Sequence, residues 1–357
     1  MAVPWRETSK SSPRFYGELF INLLSPLPYA LEKYRSLAMR QAVERELGAH
    51  HYEVVVCDFL APSVNLLHRR GCAMVLFQHN VESLIWRRHY QTAASLMKRA
   101  YFYRQWQKMY RYEREACRRF DAVIAVSAAD RDLMREEFGV SEVYDVPTGV
   151  DLDYFQPRGG PQDRFGLVFT GSMDWMPNED AMIYFAEQIL PRLARELPEV
   201  TLTVVGRNPT RRVEALALAD RRIRVTGRVD DIRPYLDRAA AYVVPIRVGG
   251  GTRLKIYEAM AMEKPVISTT IGAEGLPVRD GAELLIADDP VAFARAVLRV
   301  LTDDALATQL GHQARGVVCE RFGWGGVAAA FAQVCEQVAK PTKSQRSLIQ
   351  MMTYGKQ

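Results

Sequence analysis

No run of eighteen or more apolar residues occurs anywhere in the 357-residue chain, which argues against a membrane-spanning helix. The opening residues, MAVPWRETSKSSPRF, lack the apolar stretch and small-residue cleavage site of a secretory signal, so cytoplasmic residence is expected. Five cysteines (Cys57, Cys72, Cys117, Cys319, Cys335) are odd in number and form no C-x-x-C pair, against a disulfide framework or structural zinc site. The six histidines form neither H-x-x-x-H nor H-E-x-x-H, so no metal cofactor is expected. Charge of neither sign dominates. A formal +5 gives a weak attraction for anionic or phosphorylated partners without naming one.

What is present is ordinary globular material, 48% hydrophobic and 25% charged, in a chain long enough for two domains. Beyond residue 160, short apolar runs at 167–172, 201–206, 223–228, 240–246, 265–270 and 283–288 alternate with helical stretches such as 180–197 and 252–262. Strands that are apolar throughout need cover on both faces, and strand–helix repetition at this spacing predicts a doubly wound α/β domain. The first half repeats the theme at 53–59, 73–80, 122–127 and 143–146. It offers no Gly-rich strand-to-helix turn before residue 50, and 15–26 is ambiguous, so this domain is expected to be incomplete at its start. The expected division is a domain over 1–146, a Pro/Gly-rich hinge over 147–163, a second domain over 164–322, a final helix over 323–340 and a tail over 341–357.

The richest segment runs from Pro245 to Met262, PIRVGGGTRLKIYEAMAM. A strand ends, Gly249, Gly250 and Gly251 turn the chain, and a helix starts near Thr252, presenting unpaired N–H groups suited to phosphate. Arg253 and Lys255 put two cations in a first turn whose dipole disfavours them unless an anion is near. Glu258 lies three residues beyond Lys255 and can accept two hydroxyl hydrogen bonds from a sugar diol. The plain alternative is a surface ion pair on a tight turn. A second loop, TGSMDWMPN over 170–178, brings Gly171, Ser172 and Asn178 to another strand end. In a third, Gly227-Arg228-Val229-Asp230-Asp231, the backbone can meet a base edge, or an aspartate can simply cap the next helix. Read alone, the cap is preferred.

These segments resemble glycosyltransferase family 4, the large retaining GT-B family. The likeness runs from about residue 50 to 335 through FQHNVES, PTGVDLDYFQP, TGSMDWMPN, VVGRNP, TGRVDDIRPYL, GGGTRLKIYEAMAMEKPVISTTIGAEGL and RFGWGGVAAAF, and points to the exopolysaccharide-assembly branch. The resemblance implies two Rossmann-like domains facing each other across a cleft, the first taking the acceptor and the second a UDP-, GDP- or ADP-sugar, without a metal. It makes Glu258 the second acid of the family's E-x7-E motif and its ribose ligand, while the first acid falls at Gly250. The family's Arg and Lys for the diphosphate fall at Ser172 and the Pro177-Asn178 pair, so Arg253 and Lys255 are expected to supply that charge. His79, which on the residues alone reads as structural, becomes the group that contacts the donor sugar. A front-face retaining transfer to a growing glycan or lipid-linked acceptor is the implied reaction.

Three other readings carry weight. The D-x-D at Asp151 and Asp153 would suit a metal-dependent GT-A enzyme, but it lies in a Pro/Gly hinge and not at a strand end. The substituted positions admit a catalytically degenerate nucleotide-sugar-binding or scaffold subunit of a polysaccharide-assembly system. The stretch from Ser83 to Phe120 interleaves ten arginines and lysines with nine Trp, Tyr and Phe residues. Such a helix suits an anionic membrane surface, or a core-facing amphipathic role; no nucleic-acid-binding signature accompanies it.

Overall fold

The computed structural model describes residues 3–5, 8–9, 12–66, 71–93, 95–248 and 254–339. The chain forms two units, Met1–Val146 with Ala329–Gln357, and Pro147–Ala328. Each has its own parallel sheet and core.

In the first unit, β1 (Val54–Asp58), β2 (Ala73–Gln78), β3 (Ala122–Ala125) and β4 (Val143–Asp145) pair in sequence order, every pair parallel. The central strands are buried on both faces, as their unbroken apolar runs require. β1 lies at the edge of this sheet. The ambiguous stretch near residue 15 is a helix, Pro13–Asn22, capped by Ser12, whose side chain accepts from the Arg14 amide.

The basic, aromatic stretch is not one helix but two, Glu82–Thr92 and Leu96–Arg119. Their aromatics meet each other: Tyr90 stacks on Trp106 at 5.8 Å and His89 on Phe102 at 5.4 Å. Several polar side chains of the longer helix turn inward, among them the fully buried Gln105 and Glu113 and the nearly buried Lys108.

The second unit holds β5 (Asp163–Thr170), β6 (Thr201–Val205), β7 (Ile223–Val225), β8 (Ala239–Val244), β9 (Val266–Ser268) and β10 (Leu285–Ile286), in the order β10-β9-β8-β5-β6-β7. All pairs are parallel. The chain therefore winds outward from β5 in one direction, then returns to β8 on its other side. That reversal is the topological switch point at which open α/β sheets bind ligands, at the carboxyl ends of the strands. The helix expected over 180–197 starts earlier and is interrupted: Met176–Tyr184 and Leu190–Glu196 flank a π turn at Phe185–Ile189. Pro191, with no N–H to donate, accounts for the break.

The segment after Val146 is pinned within the second unit. Val150 accepts from the Trp324 amide and donates to Phe322, so the PTGV and RFGW segments run side by side. Asp151 Oδ1 accepts from the amides of Asp153 and Tyr154 at 3.1 and 2.9 Å. The D-x-D is thus a side-chain-closed turn.

Candidate functional site

β5 delivers Gly171, and β6 delivers Gly206, to the carboxyl edge at the switch point. The two glycine backbones touch so closely that a Cβ on Gly206 would lie 1.7 Å from the Gly171 carbonyl oxygen. Past Gly171 the loop opens a helix in which Pro177 and Asn178 occupy the first turn, Pro in a position where its missing N–H costs nothing. Asn178 is buried and donates from Nδ2 to the Ser172 carbonyl at 2.8 Å, which fixes the loop's shape. Its Oδ1 accepts from Lys255 Nζ at 2.9 Å.

Lys255 belongs to the helix Leu254–Ala261, which follows β8. Its ammonium lies 4.1 Å from the centre of the Phe169 ring and beside Gly171, where a Cβ would meet it at 2.7 Å. Gly171, Ser172, Asn178 and Lys255 are therefore brought together, from two elements 77 residues apart in sequence. One turn along the same helix, Glu258 is half-buried; burial holds its carboxyl above the ordinary range, and the nearby Lys255 opposes that shift. Gly249, Gly250, Gly251, Thr252 and Arg253 lie outside the described residues.

Two residues escaped the reading of the sequence. Arg207, just past β6, donates from Nε to Ser172 Oγ at 3.1 Å, and Ser172 in turn donates to Asp174 at 2.5 Å. Asn208, held at positive φ, donates to the other oxygen of Asp174 at 3.1 Å. Bonds from Ser172 and Asn208 keep the Asp174 carboxyl below its usual range. The available signal was the Gly-Arg-Asn-Pro that ends β6, a strand-to-loop break carrying a cation.

The third loop divides the two roles that the sequence left open. Asp231, not Asp230, meets the following helix: it accepts from the Arg233 amide at 2.9 Å and pairs with the Arg233 guanidinium, which pulls its carboxyl down to about 2. Arg228 and Asp230 are exposed and Val229 half-buried. Val229 and Asp230 help line a cavity of about 430 Å³ against β5 and β6, together with Thr203, Tyr235 and Arg238.

In the first unit His79 sits just past β2, again at a carboxyl edge. Its Nε2 lies 2.7 Å from Asp58 Oδ1 at the end of the neighbouring β1. The imidazole stacks on Phe59 at 3.9 Å and leans on Phe77 at 4.3 Å. Phe59 holds φ +67°, a costly backbone for a bulky side chain and of the kind that collects at functional sites.

Two six- and four-stranded parallel sheets, with polar groups gathered at their carboxyl edges, define the GT-B class of transferase folds. Residues 8–154 match the model of Glycosyltransferase Family 4, and 164–303 that of Glycosyl transferases group 1. The chain belongs to the family 4 glycosyltransferases. It is 30% identical over 227 residues to a phosphatidyl-myo-inositol mannosyltransferase of Mycolicibacterium smegmatis, an alignment covering 60% of this chain and 57% of the relative. An uncharacterized 44.6 kDa protein in the cps region of Klebsiella pneumoniae is 24% identical, covering 68% of this chain and 63% of its own length. The chain thus spans less than two thirds of the length of these relatives. Among solved structures, sucrose-phosphate synthase of Thermosynechococcus elongatus superposes with TM-score 0.70 at 22% identity, covering 86% of this chain and 78% of that one. The Anabaena HepE protein in complex with UDP-glucose does so with TM-score 0.61 at 15% identity, covering 84% and 81%. Among the described residues, no helix is long and apolar enough to cross a membrane.

Proposed function

We propose that this chain transfers a sugar from a nucleoside diphosphate to a growing glycan or lipid-linked acceptor, with retention of anomeric configuration, in polysaccharide biosynthesis. The observation that carries this reading is the ammonium of Lys255, held by Asn178 and the face of Phe169 beside the bare backbone of Gly171 at the switch point. A cation fixed there before any ligand arrives suits a pyrophosphate whose charge grows as the bond to the anomeric carbon breaks. Arg253 is the second cation in this reading, and Arg207, against Ser172, a third. Glu258 receives the ribose hydroxyls, and the backbone of Arg228, Val229 and Asp230 receives the base. Gly249 to Thr252 wrap the phosphates.

The reaction breaks the bond between the anomeric carbon and the bridging phosphate oxygen, and the electron pair leaves with the nucleoside diphosphate. The acceptor hydroxyl attacks the same face and gives its proton to the departing phosphate. No side chain is assigned as a covalent nucleophile, and His79 is assigned to the donor sugar. UDP-glucose in the Anabaena structure supports the donor class.

A screen of UDP-, GDP- and ADP-sugars by calorimetric binding and by transfer or hydrolysis tests the proposal. One donor is expected to bind and turn over with retention by proton NMR, and Lys255→Ala to lose about a hundredfold or more in turnover. Binding without transfer or hydrolysis would instead favour the scaffold reading, to which Gly250, Ser172 and Pro177-Asn178 lend their substituted positions.

The membrane expectation has one specific support. Leu96 and Met97, which open the longer helix, are 83% and 82% exposed and lie beside Lys98 and Arg99. We assign this tip to an anionic lipid surface, the bilayer that would carry a lipid-linked acceptor.

A further inference from the structure

His79, Asn80 and Val81 form a three-residue turn between Gln78, which closes β2, and Glu82, which opens the helix Glu82–Thr92. One carboxylate from a third element grips both ends of this turn. Glu113 of the helix Leu96–Arg119 accepts from the Glu82 amide at 2.8 Å and from Gln78 Nε2 at 3.2 Å through Oε1. Its Oε2 accepts from the Ser83 amide at 2.8 Å. Glu113 is completely buried, and Val81, the residue preceding that helix, supplies no side-chain cap.

A serine or aspartate at position 81 would satisfy the same amides locally. The chain instead encloses a carboxylate, whose burial raises its pKa to about 7 even though the bonds from Ser83 and Glu82 favour the ionised form. Of the titratable groups around it, Glu82, on the helix it caps, raises its pKa further, and Glu113 in turn raises that of Cys117, one turn further along its own helix. Burying a carboxyl group in this way is costly for a simple helix cap. What it adds is rigidity: the same group holds the residue before His79 and the residues after Val81, while Asp58 holds the imidazole itself. Supporting groups of this kind keep a reacting constellation within a fraction of an ångström.

We propose that Glu113 is a positioning residue for His79, a role that rests on the assignment of His79 to the donor sugar. Glu113→Gln replaces one accepting oxygen by an N–H group facing an amide donor, and so loosens the turn without changing its volume.

Two measurements test this on the full chain. In nitrogen-15 spectra of the histidine-labelled protein, Glu113→Gln is expected to shift or broaden the His79 imidazole signals and leave those of His50 and His312 in place. An unmoved His79 signal overturns the proposal. With a donor from the screen, Glu113→Gln is expected to lower kcat tenfold or more, roughly, while the donor KM stays within about twofold. On a His79→Ala background the same change should have no further effect. If the two losses multiply instead, Glu113 acts apart from His79 and the proposal fails while the assignment of His79 stands. If His79→Ala alone leaves turnover intact, that assignment fails, and the nitrogen-15 spectra still decide whether Glu113 holds the turn. Should Glu113→Gln not fold, Gln78→Met removes one of the three donors and is expected to move the His79 signals in the same direction; unmoved signals again overturn the proposal.

Discussion

At the scale of single residues, the second unit's site depends on atoms that are missing. A Cβ on Gly171 would lie 2.6 Å from Asn178 Nδ2 and 2.7 Å from Lys255 Nζ. The far end of a lysine can move aside, but the φ of +156° at Gly171 strains any side chain and Asn178 is buried, so Gly171→Ala is expected to lose some thermal stability, though less than Gly206→Ala. The displaced cation should weaken donor binding by about tenfold, which corresponds to roughly 1.4 kcal/mol in a calorimetric titration. Gly206→Ala differs in kind. Its Cβ would lie 1.7 Å from a backbone oxygen of Gly171, and neither strand end can yield cheaply. A loss of about 3 kcal/mol or more in denaturant unfolding is expected. Retained stability would mean that the two loops part more easily than their contact implies.

At the scale of elements, two inward-facing groups of the helix Leu96–Arg119 hold other helices by their ends. Glu113 takes the amino end of Glu82–Thr92, as described. Lys108 Nζ donates to the Asn22 carbonyl at 2.5 Å, at the carboxyl end of the helix Pro13–Asn22, where a cation is favoured. Lys108→Met keeps much of the volume but removes one of that carbonyl's two donors, the other being the Ser25 amide. It should lower the melting temperature, at a cost of about 1–3 kcal/mol. The exposed tip behaves oppositely. Leu96→Gln with Met97→Gln changes two side chains that are more than four-fifths exposed, so stability should hold. Sedimentation with anionic liposomes at low salt should fall sharply, whereas unchanged sedimentation would remove the lipid assignment of the tip.

Across the whole molecule, each unit has its own hydrophobic core, one around Leu76, Met109, Val123 and Phe138, the other around Phe169, Phe185, Tyr242 and Phe293. Burial of Glu113 ties the first core to pH. Its carboxyl keeps its proton up to about 7 when folded, against 4.5 as the ordinary value. Unfolding between those pH values therefore releases a proton. The contribution of this group to stability is fully present below pH 4.5 and is lost as pH rises through about 7. Over that interval the first unit should lose on the order of 3 kcal/mol relative to Glu113→Gln, measured by differential calorimetry. A parallel pH dependence in both proteins would place the titration elsewhere.

How much of this was legible in the sequence follows from how local each cause is. The ten strands and the alternation of strand and helix declare themselves, because a parallel strand covered on both faces must be apolar along its length. The division of the basic, aromatic stretch into two helices does not. Only pairing reveals that Tyr90 and His89 face Trp106 and Phe102. Gly171, Ser172, Asn178, Lys255 and Glu258 could be picked out because glycines, helix starts and misplaced charges mark a strand end by their chemistry alone. That Asn178 binds Lys255, that Arg207 reaches Ser172, and that Asp231 rather than Asp230 meets its helix depended on side chains arriving from separate strands. Glu113 is the clearest case. In sequence it is one acid among the charges of a basic helix, and nothing local marks it, since its burial and its three partners come from β2 and the helix after it. The amino-acid sequence by itself settled the parallel α/β architecture and the family, through short-range pattern. Tertiary structure alone decided which polar groups face one another, because those contacts join residues that only the winding of the sheet brings within reach.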